Sequence, residues 1–180
     1  MAARRARPVE VNAATLAAAA LAYLNRTDAS RARLARHLTT WAERKGEPGA
    51  GALARPLIDE LLQRYQASGL IDDDRLAANA VRGLRARGGS RRAIAFKLKA
   101  RGIPATAITT ALAAEGNESG DPDLLAALAF ARKRRLGQHR PEAERAQNRR
   151  RDLAALARAG FDFDTAARAL GGISGEDDDF

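Results

Sequence analysis

The chain has 180 residues, 46% of them hydrophobic but only 4% aromatic, with no cysteine and a formal charge of +9. This length and apolar content suffice for an ordinary core and exclude a chain disordered throughout. The absent cysteines exclude disulfides, thiol chemistry and sulfur-ligated metals, and they suit a reducing, cytoplasmic setting. Ala and Leu dominate while β-branched residues are sparse, which predicts an all-α fold, and the positive charge predicts attraction to polyanions or to an acidic protein surface.

Residues 1–11 read as a flexible basic segment. Arg4, Arg5 and Arg7, followed by the apolar run from Ala13 to Leu24, imitate a secretory signal. Pro8, Glu10 and Asn12 interrupt that pattern, and Leu16, Ala20, Tyr23 and Leu24 fall at the spacing of an amphipathic helix. The run is too short to span a bilayer, and no later run reaches its length, so a soluble protein without a membrane partner is expected. A second helix begins at the cap Ser30 and places Leu34, Leu38 and Trp41 on one face. After a Gly-rich joint from Gly46 to Gly51, a third runs from Pro56 through Leu57, Ile58, Leu61, Leu62 and Tyr65 to Gly69.

Asp72, Asp73 and Asp74 open the next helix, whose apolar positions are Leu76, Ala80, Val81 and Leu84, with Arg82, Arg85 and Arg87 toward its end. Acid first and base last is the order the helix dipole favours. In "SRRAIAFKLKARGIPATAITTAL", Ser90 caps a helix carrying Ile94 and Leu98. Gly102 supplies a left-handed stop, and Pro104 starts a further helix carrying Ile108 and Leu112. Beyond a joint at Glu115 to Gly120, Asp121-Pro122-Asp123 starts a helix through Leu124, Leu125 and Leu128. Pro141 begins one ending at Leu156 and Gly160, and another runs through Ala166 to Leu170.

Leu98, Gly102, Ile103 and Leu112 map onto Leu156, Gly160, Phe161 and Leu170 at a constant offset of about 58 residues. Ser30-Arg31 with Leu34 and Leu38 likewise restates Ser90-Arg91 with Ile94 and Leu98. The reading is three tandem three-helix repeats, over 12–69, 70–116 and 117–172, stacked as an elongated, curved array and followed by a disordered acidic tail at 173–180.

Little in this pattern points to catalysis. His37 and His139 have no acidic or second histidine partner one turn away and read as surface residues. The Asp72–Asp74 run reads as a helix start rather than a metal site, because three adjacent side chains cannot face one ion. No phosphate-cradling glycine loop, nucleophile elbow or acid–base pair is present, so neither enzymatic activity nor a cofactor is expected. The cations say more. From Arg75 to Ala114 the chain holds Arg75, Arg82, Arg85, Arg87, Arg91, Arg92, Lys97, Lys99 and Arg101 without one acid. Arg132, Lys133, Arg134 and Arg135, with Arg149, Arg150 and Arg151, extend the basic character into the last repeat. Phe96 points away from Ile94 and Leu98, toward the directions of Arg92 and Lys99. It either packs on a neighbouring helix or stands exposed among cations, where it could serve a protein interface or stack on a base.

The segments "ALAYLNRTDASRARLARHL", "GLIDDDRLAANAV", "GGSRRAIAFKLKARGI" and "RRRDLAALARAGFDFDTAARAL", in this order, resemble the RecX family of recombinase regulators over roughly residues 16 to 170. The resemblance implies three three-helix repeats and binding in the groove of the RecA–DNA filament. It also implies restraint of filament growth, ATP hydrolysis, strand exchange and co-protease action, as in homologous recombination, DNA repair and the SOS response. Leu76 stands where the family usually has an aromatic residue, and Ser90 replaces a common Gly-Pro helix start. A monomer contacting the RecA filament, single- or double-stranded DNA, or both is expected. The candidate contacts are the cations just named from Arg82 onward, together with Phe96. A general helical nucleic-acid-binding protein, or an adaptor that meets only an acidic protein, would use the same basic face.

Overall fold

The computed structural model describes residues 7–115 and 120–171, and among them every regular element is helical. The acidic tail and part of the joint before Gly120 lie outside the described residues. The chain divides into two compact units. The first comprises residues 1–76 and Arg101–Pro104, and the second Ala77–Ala100 and 105–180.

The first unit contains α1 (Ala13–Leu24), α2 (Arg31–Lys45), the short α3 (Ala50–Leu53), α4 (Arg55–Ala67) and the opening turn of α5 (Asp73–Arg85). Asn12 caps α1 by accepting from the N–H groups of Ala14 and Thr15, while the Thr15 hydroxyl accepts from the Asn12 N–H. Two of the first turn's unpaired donors are thereby satisfied. Leu16 and Ala20 from α1, Leu34, Leu38 and Ala42 from α2, and Ile58, Leu61 and Leu62 from α4 form the core, with Tyr23, Trp41, Leu57 and Tyr65 at its margin. The joint after Gly46 is not wholly loop: α3 packs on α2. Nor is the start of the chain free along its whole length, since the Val9 N–H donates to the Lys45 carbonyl and Val11 packs against the core.

The second unit holds the body of α5, α6 (Arg91–Ala100), α7 (Ala105–Ala114), α8 (Pro122–Arg134), α9 (Glu142–Arg158) and α10 (Phe163–Ala169), with a 3-10 turn at Gly137–His139. Asp121 caps α8 and Asp162 caps α10, each accepting backbone N–H groups of the first turn. Leu156, Phe161 and Leu170 are buried together with Ala127 and Ala131. Their sequence counterparts Leu98, Ile103 and Leu112 are buried too, so the offset seen in sequence marks equivalent core positions. Two details differ from the periodic reading. Ala77, rather than Leu76 or Ala80, is the fully buried residue of the first turns of α5, and Leu125 is exposed. In α8 the neighbouring Ala126 and Ala127 take the buried positions instead.

The repeat is carried by hydrogen bonds as well as by apolar spacing. Ser30, fully buried, caps α2 by accepting from the Arg33 N–H and donates to the carbonyl of Arg101 at 2.9 Å, while Asp73 accepts from the Arg31 N–H. Ser90, also fully buried, caps α6 by accepting from the Ala93 N–H and donates to the carbonyl of Ala159 at 2.8 Å, while Asp123 accepts from the Arg91 N–H. Each device therefore satisfies a helix start and the end of a later helix with one hydroxyl. Gly102 and Gly160 follow those carbonyls with φ of +75° and +92°, and both lie so near the serine hydroxyl that a side chain would crowd it. The arrangement is absent where the series ends: α9 begins at Pro141, which makes no side-chain cap.

Candidate functional site

The cations singled out in the sequence do not form one uninterrupted patch. Arg85 is withdrawn from the surface: its guanidinium donates to Glu115 at 2.9 Å, to Asp123 and to the carbonyl of Gly89, and its side chain is only 13% exposed. Arg85, named among the candidate partner contacts, is thus engaged inside the protein. The acids that neutralise it come from 30 and 38 residues downstream, so the acid-free run of sequence is not acid-free in space. Burial opposes the charge of Arg85, but the hydrogen bonds to Glu115 and Asp123 prevail and hold its pKa above the ordinary value.

Arg132, Lys133 and Arg134 close α8, with Arg135 beyond them in the left-handed cap position, and Arg149, Arg150 and Arg151 lie in α9; all seven are exposed. Consecutive helical residues fan by about 100° each, so each run points several ways. Arg134 lies over the Phe130 ring at 5.5 Å from its centroid, an intramolecular use of one of these charges. Arg82 hydrogen-bonds to Asn79, while Arg87 is exposed after α5. Arg101 is exposed in the first unit, its carbonyl occupied by Ser30.

A coherent surface does exist on α6. Arg92, Phe96 and Lys99 fall within a sector of about 60°, whereas Lys97 lies about 140° from Arg92. Lys97 therefore lies on a separate side of the helix. Phe96 is 75% exposed, so of the two readings of this residue the exposed one holds. Beside this sector is a groove of about 450 Å³ inside the second unit, lined by Arg91, Arg92 and Ala95 of α6, by Ile108, Thr109 and Leu112 of α7, and by Asp123, Gly160, Phe161 and Asp162. Its acids are committed elsewhere. Asp123 accepts from Arg85 and the Arg91 N–H, and Asp162 caps α10, where the Thr165 N–H holds its carboxyl below the ordinary range. What remains for a ligand is a cationic rim on an apolar wall, with an aromatic ring displayed alongside.

Of the two histidines, His37 is not a simple surface residue. Its ring stacks on Tyr23 with centroids 3.9 Å apart, and burial, then the charge of Arg26, lower its pKa. The sequence reading also missed Asp152. Fully buried in α9, it accepts from both the Nε and Nη2 of Arg140 at 2.8 Å and from the Gly137 N–H at 2.9 Å. That bidentate pair, chiefly, holds its carboxyl below the ordinary range and fixes the 3-10 turn on α9. Among the described residues no cluster of His, Asp and Glu is arranged to hold a metal ion, and no helix is long and apolar enough to cross a membrane.

Comparison with known proteins follows the same pattern. The family described as RecX, second three-helix domain, matches residues 72–112, which span α5 to α7. The chain is 38% identical over 167 residues to the regulatory protein RecX of Myxococcus xanthus (strain DK1622), covering 91% of this chain and 88% of that protein. It is 33% identical over 153 residues to the regulatory protein RecX of Mycobacterium ulcerans (strain Agy99), covering 81% of this chain and 85% of its relative. The crystal structure of RecX from Lactobacillus salivarius matches with a TM-score of 0.68 at 18% identity, over 88% of this chain and 94% of that one, a likeness of fold.

Proposed function

Because the chain belongs to the RecX family of regulatory proteins, we propose that it is a non-enzymatic regulator of the RecA recombinase, binding in the groove of the RecA–DNA filament and restraining it. In this reading it acts in the cytoplasm as a monomer, during recombination and repair. Its repeats are 12–69, 70–116 and 117–172, a division supported by the duplicated Ser30 and Ser90 devices. The observation that carries the choice of surface is Phe96, exposed in one sector with Arg92 and Lys99. An aromatic ring ringed by cations is a costly thing to leave in water and is the composition of an interface centre. The nucleoprotein filament offers acidic partners in its phosphates and carboxylates.

The mechanism is differential binding. A ligand that prefers a non-extending or inactive filament geometry shifts the filament toward it by no more than its difference in affinity for the two states. Substoichiometric protein should therefore lower the DNA-dependent ATPase of RecA, along with filament growth, strand exchange and co-protease action. Replacing Arg92 and Lys99 with Glu and Phe96 with Ala should abolish that inhibition while helicity is kept. Full inhibition by the folded triple variant would remove α6 from the site. A second reading, a plain nucleic-acid-binding protein, is favoured by the net charge of +9. It requires equal co-sedimentation with naked DNA and with RecA–DNA filaments and a steep salt dependence. An adaptor that meets only acidic protein requires no DNA binding at moderate salt.

A further inference from the structure

The basic residues of α2 and α4 received no role from the sequence, yet three of them converge. Two adjoining hollows of about 370 and 480 Å³ lie along α2 and share Thr39, Thr40 and Arg55. Arg44 lines the first and Arg36 the second, so the pair forms one trough between α2 and the α3–α4 segment. Arg36, Arg44 and Arg55 are all exposed, and among the described residues none of them enters an ion pair or a side-chain hydrogen bond. The two carboxylates in the walls are committed. Glu43 accepts from the N–H groups of Gly49 and Gly51, and Asp59 pairs with Arg31 at 3.6 Å. Local positive charge is thus left over in a concave place.

The spacing is regular. Arg36, Thr40 and Arg44 stand at i, i+4 and i+8 on α2, which places them along one stripe about 6 Å apart and about 12 Å end to end. Neighbouring phosphates of an extended single strand stand roughly 6–7 Å apart, so this length covers two to three of them. Guanidinium forks and a hydroxyl are the side-chain donors that phosphate oxygens accept from. The apolar part of the walls consists of Ala35, Ala52 and Ile58. No aromatic ring lines either hollow, so the trough offers neither an aromatic anchor for a protein partner nor a stacking platform for bases, and its donors address phosphates. We propose that this α2 trough binds the phosphodiester backbone of single-stranded nucleic acid, a contact separate from the α6 surface and not dependent on it.

The test is fluorescence anisotropy of a labelled oligothymidylate, without RecA, across a salt series. Replacing Arg36, Arg44 and Arg55 with Gln should weaken binding at least tenfold at low salt and flatten the slope of log K against log salt by about two, three cations at about 0.7 each. The charge-matched control, Arg26, Lys45 and Arg64 to Gln, removes exposed cations outside the trough and should keep nearly the parent slope. In the unaltered chain, the amides of Thr39, Thr40 and Gly51 should shift on adding the oligonucleotide, a readout independent of variant folding. Equal losses in the two triples, unshifted amides, or no oligonucleotide binding by the parent chain would each overturn the proposal. A trough variant that keeps its DNA affinity but no longer inhibits RecA would overturn it in favour of an acidic protein partner. The α6 triple separates the two sites: if it inhibits RecA fully while the trough results stand, only the proposed α6 function fails.

Discussion

Gly160→Ala should destabilise the protein far more than Gly102→Ala, although both glycines hold the same backbone conformation at equivalent places in the repeat. Each substitution forces an alanine into the left-handed region, at about 1–2 kcal/mol, offset in part by a smaller loss of chain entropy on folding. The surroundings differ. A Cβ on Gly160 would stand 2.6 Å from the Ser90 hydroxyl, an impossible approach to a fully buried group held at both ends. Moving that hydroxyl forfeits its bonds to the Ala93 N–H and the Ala159 carbonyl, at about 1 kcal/mol each. A Cβ on Gly102 would meet nothing nearer than 3.2 Å, and the nearest atom is the movable end of Arg36. The expected losses are about 3 kcal/mol for Gly160→Ala and about 1 kcal/mol for Gly102→Ala. Ser90→Ala alone should cost about 2 kcal/mol, from the lost cap and the stranded carbonyl. With the hydroxyl gone, the next neighbour of a Cβ at 160 is the Ala93 nitrogen at 3.3 Å, so adding Gly160→Ala should cost only about 1 kcal/mol more. Urea unfolding followed by far-ultraviolet circular dichroism measures all four proteins, with the midpoint read at constant m. Additive losses within about 0.5 kcal/mol, or equal losses for the two glycines, would refute the assignment of the serine hydroxyl as the obstacle.

Asp152→Ala removes a fully buried carboxylate that accepts from the Arg140 guanidinium and the Gly137 N–H, and should lower the urea midpoint in the same unfolding measurement. Since Asp152 has a lower pKa folded than unfolded, its contribution is fully present above the ordinary Asp value near 3.8 and is lost as pH falls from there through the depressed folded value. Asp152→Asn should accordingly flatten the acid limb of the stability profile; an unchanged limb would show that the pair does not couple to protons. Arg85→Met strands Glu115 and Asp123 together and should cost about 3 kcal/mol. Arg85→Lys should recover only part of this, because an ammonium cannot reproduce the fork that reaches two carboxylates and a carbonyl; full recovery in urea midpoints would contradict that geometry.

The chemistry of near neighbours was readable in the sequence. Ser30, Ser90 and Asp121 accept hydrogen bonds from residues two or three positions on, so their place at a helix start needs only local backbone geometry, while Asn12 and Asp162, which cap in the same way, went unread. The stripes Leu34–Leu38 and Ile94–Leu98 are equally local, because one turn of helix decides which side chains share a face. Even the direction of Phe96 followed from its angle to Ile94. Packing alone decided whether another helix covered that direction, and the 75% exposure of the ring is the outcome.

What spacing could not reveal were the partners brought together by packing. Arg85 lies in an acid-free run of forty residues, yet it is neutralised by Glu115 and Asp123, and Ser90 finds the Ala159 carbonyl 69 residues away. The trough of Arg36, Arg44 and Arg55 likewise joins two helices across a joint that read as featureless loop. The sequence by itself determined the longer helices, several of their caps, the repeat and the excess of positive charge, since each depends on residues within a few turns or on a simple sum. Only the tertiary structure decided which charges are spent inside the protein and which remain for a partner, because Coulomb energy and desolvation depend on distance through space and exposure to water, and neither is a function of separation along the chain.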